Sequence, residues 1–421
     1  MTVVTDVSSG EHPCPPEPGL TPAEVVARAE RIAATLVERQ AETEARTFYA
    51  GDTHEEFSRA GFYRILVPRC YGGYEFGFDT FMRVAMALAR GCPSTGWMYV
   101  FGHAHAVAVA TLFGERAQAE IFSGGDFICP ATVGPAGTAE RAPGGDWVID
   151  GTFPYCSGAP YATHFVGHTM VSHEAGQPPA PMLFIVPRSQ FRRLDDWGRQ
   201  LGLKGSGSHS ILIEQARIPE YFTLPLHMSL VSVTEQTPGH LLHDNPEYAG
   251  GPLSFMMLEL GALAVGMAKG ALDAYEDLMR TRVTSFFPIV PRTEDPDFQF
   301  RYGEATGLIA TAEAAMFSAV RQWSDTCARG PAAFTRDEEL RLALISREAI
   351  RLSWRAVEGE LFPTAGSSSV REGERVERVW RDMSTLHSHA GVGVFLASLA
   401  NRELARIRFG TGAGPVPTPE A

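Results

Sequence analysis

The sequence predicts an α+β protein made of a helical block, a small middle β domain and a C-terminal four-helix bundle. Three observations carry that expectation. Capped amphipathic runs fill the first third, and from about Cys129 the texture changes to β-branched and aromatic residues parted by Gly, Pro and Asp. From Leu253 onward the helical period returns in four long runs. The expected divisions are a disordered arm over 1–19, an N-terminal helical domain over 20–128, a β domain over 129–235, the bundle over 236–410 and a flexible tail over 411–421.

Each element has a local cause. Thr21-Pro22-Ala23-Glu24 places a capping hydroxyl, a proline at the first helical position and a carboxylate three residues on. Free backbone N–H groups are thereby satisfied, and a helix runs to about Arg46 with Val25, Ala29, Ile32 and Leu36 on one face. Thr53 to Glu56 repeats the pattern and predicts a short helix through Ala60, before a loop from Pro68 to Tyr74. Further helices are expected over Phe78 to Arg90 and from Thr95 past Leu112. In the middle region Trp147 to Ile149, followed by Asp150-Gly151, reads as a strand and tight turn. His164 to Val171, Met182 to Val186 and Ile211 to Ile213 read as further strands. After a Gly- and Pro-rich connector (Gln236 to Pro252), helices fall near Leu253 to Arg282, Asp297 to Arg329, Arg336 to Glu358 and Val376 to Arg406. Four such helices predict an antiparallel bundle. With no βαβ alternation and no Gly-x-Gly-x-x-Gly after a strand, a Rossmann site is not expected.

The net charge of −13 and the lack of a basic run argue against a nucleic-acid partner. Six scattered cysteines with no Cys-x-x-Cys pair indicate neither a disulfide framework nor a metal site, which fits a reducing cytoplasm. The N-terminus is acidic and Pro-rich where a signal peptide needs a basic start and an apolar core. The most apolar stretch, Leu253 to Met267, is interrupted by Glu259 and several glycines, so no membrane span is expected.

Five stretches carry a resemblance covering about residues 25 to 408. They are Gly61 to Arg69 with Tyr71-Gly72-Gly73; Ser94-Thr95-Gly96-Trp97 leading to His105; Cys156-Ser157-Gly158; Trp197 to Ser208; and Trp380-Arg381-Asp382 with His389-Ala390. In this order and at these intervals the chain resembles the oxygenase components of two-component flavin monooxygenases, a branch of the acyl-CoA dehydrogenase superfamily. Their substrates include 4-hydroxyphenylacetate, steroid-derived phenols and dibenzothiophene. The resemblance implies the acyl-CoA dehydrogenase fold, reduced FMN or FAD from a separate NAD(P)H:flavin reductase, O2 as co-substrate and a C4a-hydroperoxyflavin. It also implies hydroxylation of a small aromatic or polyketide-like phenolic molecule by a homotetramer. Two other reactions belong to the same superfamily: N-oxygenation of an amine or amino sugar, as in nitrososynthases, and acyl-CoA dehydrogenation. The dehydrogenases take an α-proton with a glutamate, whereas after Asp382 this chain has only Glu403 and Glu420.

The resemblance also assigns roles, each beside a plainer one. Ser157, before Gly158, would hydrogen-bond flavin N5, or be a turn serine bonding its own backbone. His389, seven residues after Asp382 in the expected last helix, would be the base for a phenol or amine, with His387 as the competing ring. His105 would bond a substrate oxygen, with His103 as competitor and a buried ring bonded to a carbonyl as the plainer reading. Trp97 would wall the flavin or be ordinary core. Ser206 and Ser208, in Gly205 to Ser208, would offer hydroxyls and amides to a flavin phosphate. Arg282 would meet a flavin phosphate across a subunit boundary, or simply favour its helix C-terminus. Lys204 and Cys156 stand where relatives usually carry Arg and Ser.

Overall fold

In the computed structural model, residues 13–172 and 178–411 are described. The helical block holds α1 (Pro22–Arg46), α2 (Gly51–Arg59), α3 (Gly77–Gly91), α4 (Pro93–His103), α5 (His105–Leu112) and α6 (Glu115–Ile121). The expected capping box forms at α1: Thr21 Oγ1 accepts from Glu24 N–H while Glu24 accepts from Thr21 N–H. The cap expected at Thr53 does not form. α2 starts at Gly51 without a side-chain cap, and the buried Thr53 hydroxyl accepts instead from Arg39 on α1. The helix expected from Thr95 past Leu112 is two helices, divided at Ala104.

The disordered arm and the tail lie in part outside the described residues (1–12 and 412–421). Within the arm, residues 13–19 pack on the helical block. Glu17 forms an ion pair with Arg28 at 2.8 Å, and the Pro13 carbonyl lies beside Gly72.

The middle region is two antiparallel sheets. β1 (Thr138–Arg141), β2 (Trp147–Phe153), β6 (Ile211–Ile218) and β5 (Arg192–Arg193) form one, in the order β1-β2-β6-β5. The other, β3-β4-β7, holds β3 (His164–Val171), β4 (Ala180–Pro187) and β7 (Thr223–Leu224). Asp150-Gly151 is not the expected turn. β2 runs through it to Phe153, and the β2–β6 register shifts between Ile149 and Gly151, a bulge. Gly151 has φ +147°, and a Cβ there would lie 2.5 Å from Gly137 Cα, so the sheet needs glycine at this point.

The connector contains a short helix, α7 (Pro238–His243), capped by Thr237. The bundle follows with α8 (Pro252–Thr281), α9 (Pro296–Ala328) and α10 (Arg336–Trp354). A π-helical stretch (Arg355–Leu361) leads from α10 into α11 (Phe362–Ala365), and the bundle ends with α12 (Arg375–Ser388) and α13 (Ala400–Phe409). α8 is the hub, packing on α3, α9, α10 and α12, and one apolar core runs through all three regions. Among the described helices α8 alone is long and apolar enough to cross a membrane, yet most of its apolar length is buried inside the fold. Neither Glu259 nor its glycines interrupt it.

The largest departure from expectation is the last helix. The sequence reads as one run from Val376 to Arg406, but the chain leaves α12 at His389, whose backbone is extended (φ −62°, ψ 136°). It then winds as a π-helix over Gly391–Leu399 before α13. Gly391 and Gly393 supply the weak helix propensity, and the amides of Val392 and Gly393 both turn back to the His389 carbonyl at 2.9 and 2.8 Å.

Candidate active site

Three elements remote in sequence meet at Trp97. α4 carries Trp97 and Phe101 one turn apart, and their rings lie 4.6 Å apart. The loop after β2 delivers Ser157, whose Oγ accepts the Trp97 indole N–H at 2.9 Å. The third element is the break after α12, which sets the His389 ring edge-on to Trp97 at 5.3 Å and 5.5 Å from Phe101. Gly158 fixes the loop. Its φ is +96°, and a Cβ would fall 3.1 Å from Gly102 Cα, so the loop can sit directly on α4 only with glycine here.

Beyond Ser157 a chain of hydroxyls runs inward: Ser157 Oγ to Ser208 Oγ at 2.7 Å, and Ser208 Oγ to Ser206 Oγ at 2.7 Å, all buried. The indole N–H can only donate, so Ser157 Oγ accepts there and has one proton to give. The Gly205 to Ser208 loop departs from its expected role. The amides of Gly205, Ser206 and Gly207 are bonded to Ser94 Oγ, Leu203 O and Thr47 O, and Lys204 lies 3.5 Å from Glu44. A phosphate would find these donors committed. Cys156 gives its thiol to the Phe153 carbonyl, and burial pushes that thiol's pKa well up.

The Trp380-Arg381-Asp382 stretch explains how His389 reaches Trp97. Arg381 donates to Glu44 of α1 and to the Leu201 carbonyl, each at 2.8 Å, and also pairs with Glu377. Arg378 adds a second bond to Glu44 at 2.9 Å. Burial pushes the Glu44 carboxyl up, but the bonds from Arg381 and Arg378 outweigh it and hold it at about 2. Asp382 accepts from the Leu203 amide; its burial dominates and raises it to about 7. α1, the 201–203 loop and α12 are thus clamped together about two helical turns before His389.

Both pairs of competing histidines are told apart by their partners. His103 is satisfied on both nitrogens, by the Leu66 amide and the Phe127 carbonyl, and is plain core. His105 donates Nδ1–H to the carbonyls of Cys129 (2.8 Å) and Phe101 (3.1 Å), which leaves Nε2 as a lone-pair acceptor. Its ring borders a small hollow with Ala104, Phe255 and Met256. His387 faces away from Trp97, against Trp354 at 5.0 Å. His389 does not share the α12 face with Asp382, as helical spacing predicts, because it caps the helix in an extended conformation. Its Nδ1 accepts the Gly391 amide at 3.2 Å, so the neutral ring carries its proton on Nε2. Burial alone lowers His389 to about 4 and dominates at His105, also about 4, so both rings are neutral at pH 7.

Arg282 stands apart. It lies at the far end of α8 from Met256, about 39 Å along the axis at 1.5 Å per residue, and donates to Ser368 Oγ. Phe286 and Phe287, which the sequence leaves open as pocket residues, are exposed in the loop after α8. Sequence reasoning missed Phe101. The signal for it was its place four residues after Trp97 and four before His105, on one helical stripe. It also missed Leu260, whose Cδ1 lies 3.0 Å from where a Gly391 Cβ would stand.

These residues suit the ring end of a flavin. A buried hydroxyl with a proton to give, a flat indole and the neutral His389 imidazole meet in an apolar wall, as a planar cofactor requires, while the His105 ring borders the separate hollow beside Phe255.

The acyl-CoA dehydrogenase N-terminal domain family matches residues 23–123, and the acyl-CoA dehydrogenase C-terminal domain family matches residues 258–393. The two matches together span more than half the chain, which belongs to the acyl-CoA dehydrogenase superfamily. The chain is 28% identical over 397 residues to the oxygenase subunit HsaA, a flavin-dependent monooxygenase of Rhodococcus jostii (strain RHA1), covering 93% of this chain and 98% of that protein. It is also 28% identical to the oxygenase component of the FADH(2)-dependent resorcinol hydroxylase of Rhizobium sp. (strain MTP-10005), over 78% of this chain and 81% of that one. The crystal structure of 3-HSA hydroxylase from Rhodococcus sp. RHA1 superposes with a TM-score of 0.82 at 25% identity, covering 94% of this chain and 98% of that chain. Within the superfamily the chain is thus a reduced-flavin-dependent monooxygenase of the oxygenase-component kind, a hydroxylase. The dehydrogenase alternative loses its remaining described glutamate as well, since Glu403 is paired with Arg336 at 2.7 Å.

Proposed function

We propose that the chain hydroxylates a small phenolic aromatic molecule in the space bounded by Trp97, Phe101, Ser157, His105 and His389. Supporting this is one arrangement: Trp97 touches both Ser157 and His389, so a hydrogen-bonding serine and an imidazole border the same apolar wall. Bound reduced flavin, FMN or FAD, supplies oxygen activation by the C4a-hydroperoxyflavin route. Ser157 would hydrogen-bond flavin N5, and Trp97 and Ser208 would fix the direction of that bond. Arg282 belongs to this reading only as a contact made across a homotetramer.

The two histidines divide the work at the substrate. A phenol with pKa about 10 does not transfer its proton to a ring at about 4, a gap worth roughly 8 kcal/mol. At rest, therefore, His105 Nε2 accepts a hydrogen bond from the substrate hydroxyl, and His389 Nε2–H donates one to a substrate oxygen. His389 becomes a base only by giving up its 3.2 Å bond to Gly391. The decisive experiment supplies chemically reduced flavin, O2 and a panel of phenols, with product and hydrogen peroxide measured together. Catechol-type products support the reading. Hydrogen peroxide alone across the panel, or bleaching of bound oxidised flavin by an acyl-CoA, overturns it.

A further inference from the structure

On the far side of the His389 turn, α10 and the π-helical stretch enclose a groove of about 330 Å³, within the size range of small-molecule sites. Its floor is apolar and aromatic: Ile350, Trp354, Val392 and Leu396. Arg347 and Arg351, one turn apart on α10, stand at its edge and share a single carboxylate, Glu348, at 2.8 and 3.4 Å. Arg347 also reaches Asn401 at 3.4 Å. Arg347 and Arg351 thus share one bonded carboxylate at this edge, with Glu358 close enough to His387 to act on that ring.

Two further observations single the groove out. His387 lines it, and its Nε2 is buried without a partner; Nε1 of Trp380, a ring outside the lining that packs 6.2 Å from Trp354, is likewise unbonded. Buried polar atoms are normally bonded, so these orphans mark a place where a partner belongs. The groove is also lined by a π-helical stretch, Gly391–Leu399, which supplies Val392, Leu396 and Ala397, and a second, Arg355–Leu361, begins directly after the lining residue Trp354. Such windings occur mostly at functional sites.

We propose that this groove is a second ligand site, distinct from the flavin site. It takes a small monocarboxylate with a flat apolar body, the carboxylate meeting Arg347 and Arg351 and the body lying on Trp354, Val392 and Leu396. The Val392 amide is bonded to the His389 carbonyl, so an occupied groove braces the turn that presents His389.

The test is calorimetric titration of the full chain without flavin, using 1-naphthylacetate and its neutral counterpart 1-naphthylacetamide. The carboxylate is expected to bind at least about tenfold more tightly than the amide. The double variant Arg347→Gln/Arg351→Gln and, separately, the groove-filling Ala397→Trp should each weaken carboxylate binding about tenfold or more, with melting temperature and reduced-flavin affinity unchanged. Equal affinity for acid and amide overturns the proposal, as does carboxylate binding that survives both variants, which would place it in the flavin-side cavity. No carboxylate binding to the unmodified chain overturns it too. So does a change of mass by light scattering in the variants without ligand binding, since a second copy of the chain would then occupy the groove.

Discussion

The two halves of the site are held in different ways. On the proposed flavin side, Trp97, Ser157, Ser208 and Ser206 form an unbroken hydrogen-bonded chain with links of 2.7 to 2.9 Å, seated on α4 by a glycine contact. On the substrate side, the His389 ring has one hydrogen bond of 3.2 Å and is otherwise held by packing against Trp97 and Phe101. Its anchor is one step removed, at the Glu44–Arg381–Asp382 clamp before the turn. The contrast suits an oxygenase that must fix one planar cofactor yet admit a guest. On the proposed reading the flavin side is preorganised by hydrogen bonds, and the His389 ring is held mainly by packing.

The hardest test of this division is His389→Ala. Hydroxylation should fall by about a hundredfold or more, while reduced-flavin affinity stays within a few-fold in a binding titration. A matching loss of flavin binding would put His389 on the wrong side of the comparison. His389→Gln, which keeps an N–H donor, should recover part of the lost rate if donation is its role.

The clamp comes next. Arg381→Ala leaves Glu44 and Glu377 short of a partner in a mostly buried network and should cost about 3 kcal/mol in urea unfolding. The pH dependence follows from sign. Because the folded pKa of Glu44 is depressed to about 2, its contribution is full above the unfolded value of about 4.5 and fades as pH falls from there toward 2. That acid-side slope should shrink in Arg381→Ala; a loss below about 1 kcal/mol would reduce the clamp to a surface pair.

Ser157→Ala should act in the opposite direction from His389→Ala, leaving substrate affinity alone but raising hydrogen peroxide release per turnover by about tenfold, the worth of one hydrogen bond. Trp97→Phe, which keeps the ring and removes only the N–H, should give a smaller rise of the same kind. An unchanged peroxide yield in both would detach the serine chain from the chemistry. The smallest effect expected is a flat one. Since burial disfavours the imidazolium and holds both site histidines at about 4, kcat/KM should show no break near pH 6.5. A break there would mean that one ring is solvated in the working enzyme.

Most of the fold was legible in local chemistry. Thr21 and Glu24 announced α1 because a capping box is complete within four residues, and β3 was bounded correctly from the β-branched and aromatic residues within His164 to Val171. Three readings failed, two of them where a distant contact decided. Thr53 looked like a cap but bonds Arg39 on another helix, and Asp150-Gly151 looked like a turn but is a bulge in the pairing with β6; the run after Asp382 looked continuous but breaks at His389, where Gly391 and Gly393 weaken the helix locally. The same holds for the site. Residue identities pointed to Ser157, His105 and His389, but hydrogen-bond partners alone separate His105 from His103, and no spacing rule could show that Ser206 and Ser208 turn inward.

By itself the sequence determined the order of helical, β and helical regions, and the residue types from which a flavin-and-phenol site can be made, because periodicity and capping act over a few residues. Tertiary structure decided which nitrogen of each histidine is free, where the last helix ends and which donors remain unspent. Those depend on groups tens to hundreds of positions apart, whose proximity is fixed only when Glu44, Leu203 and Asp382 close around one another.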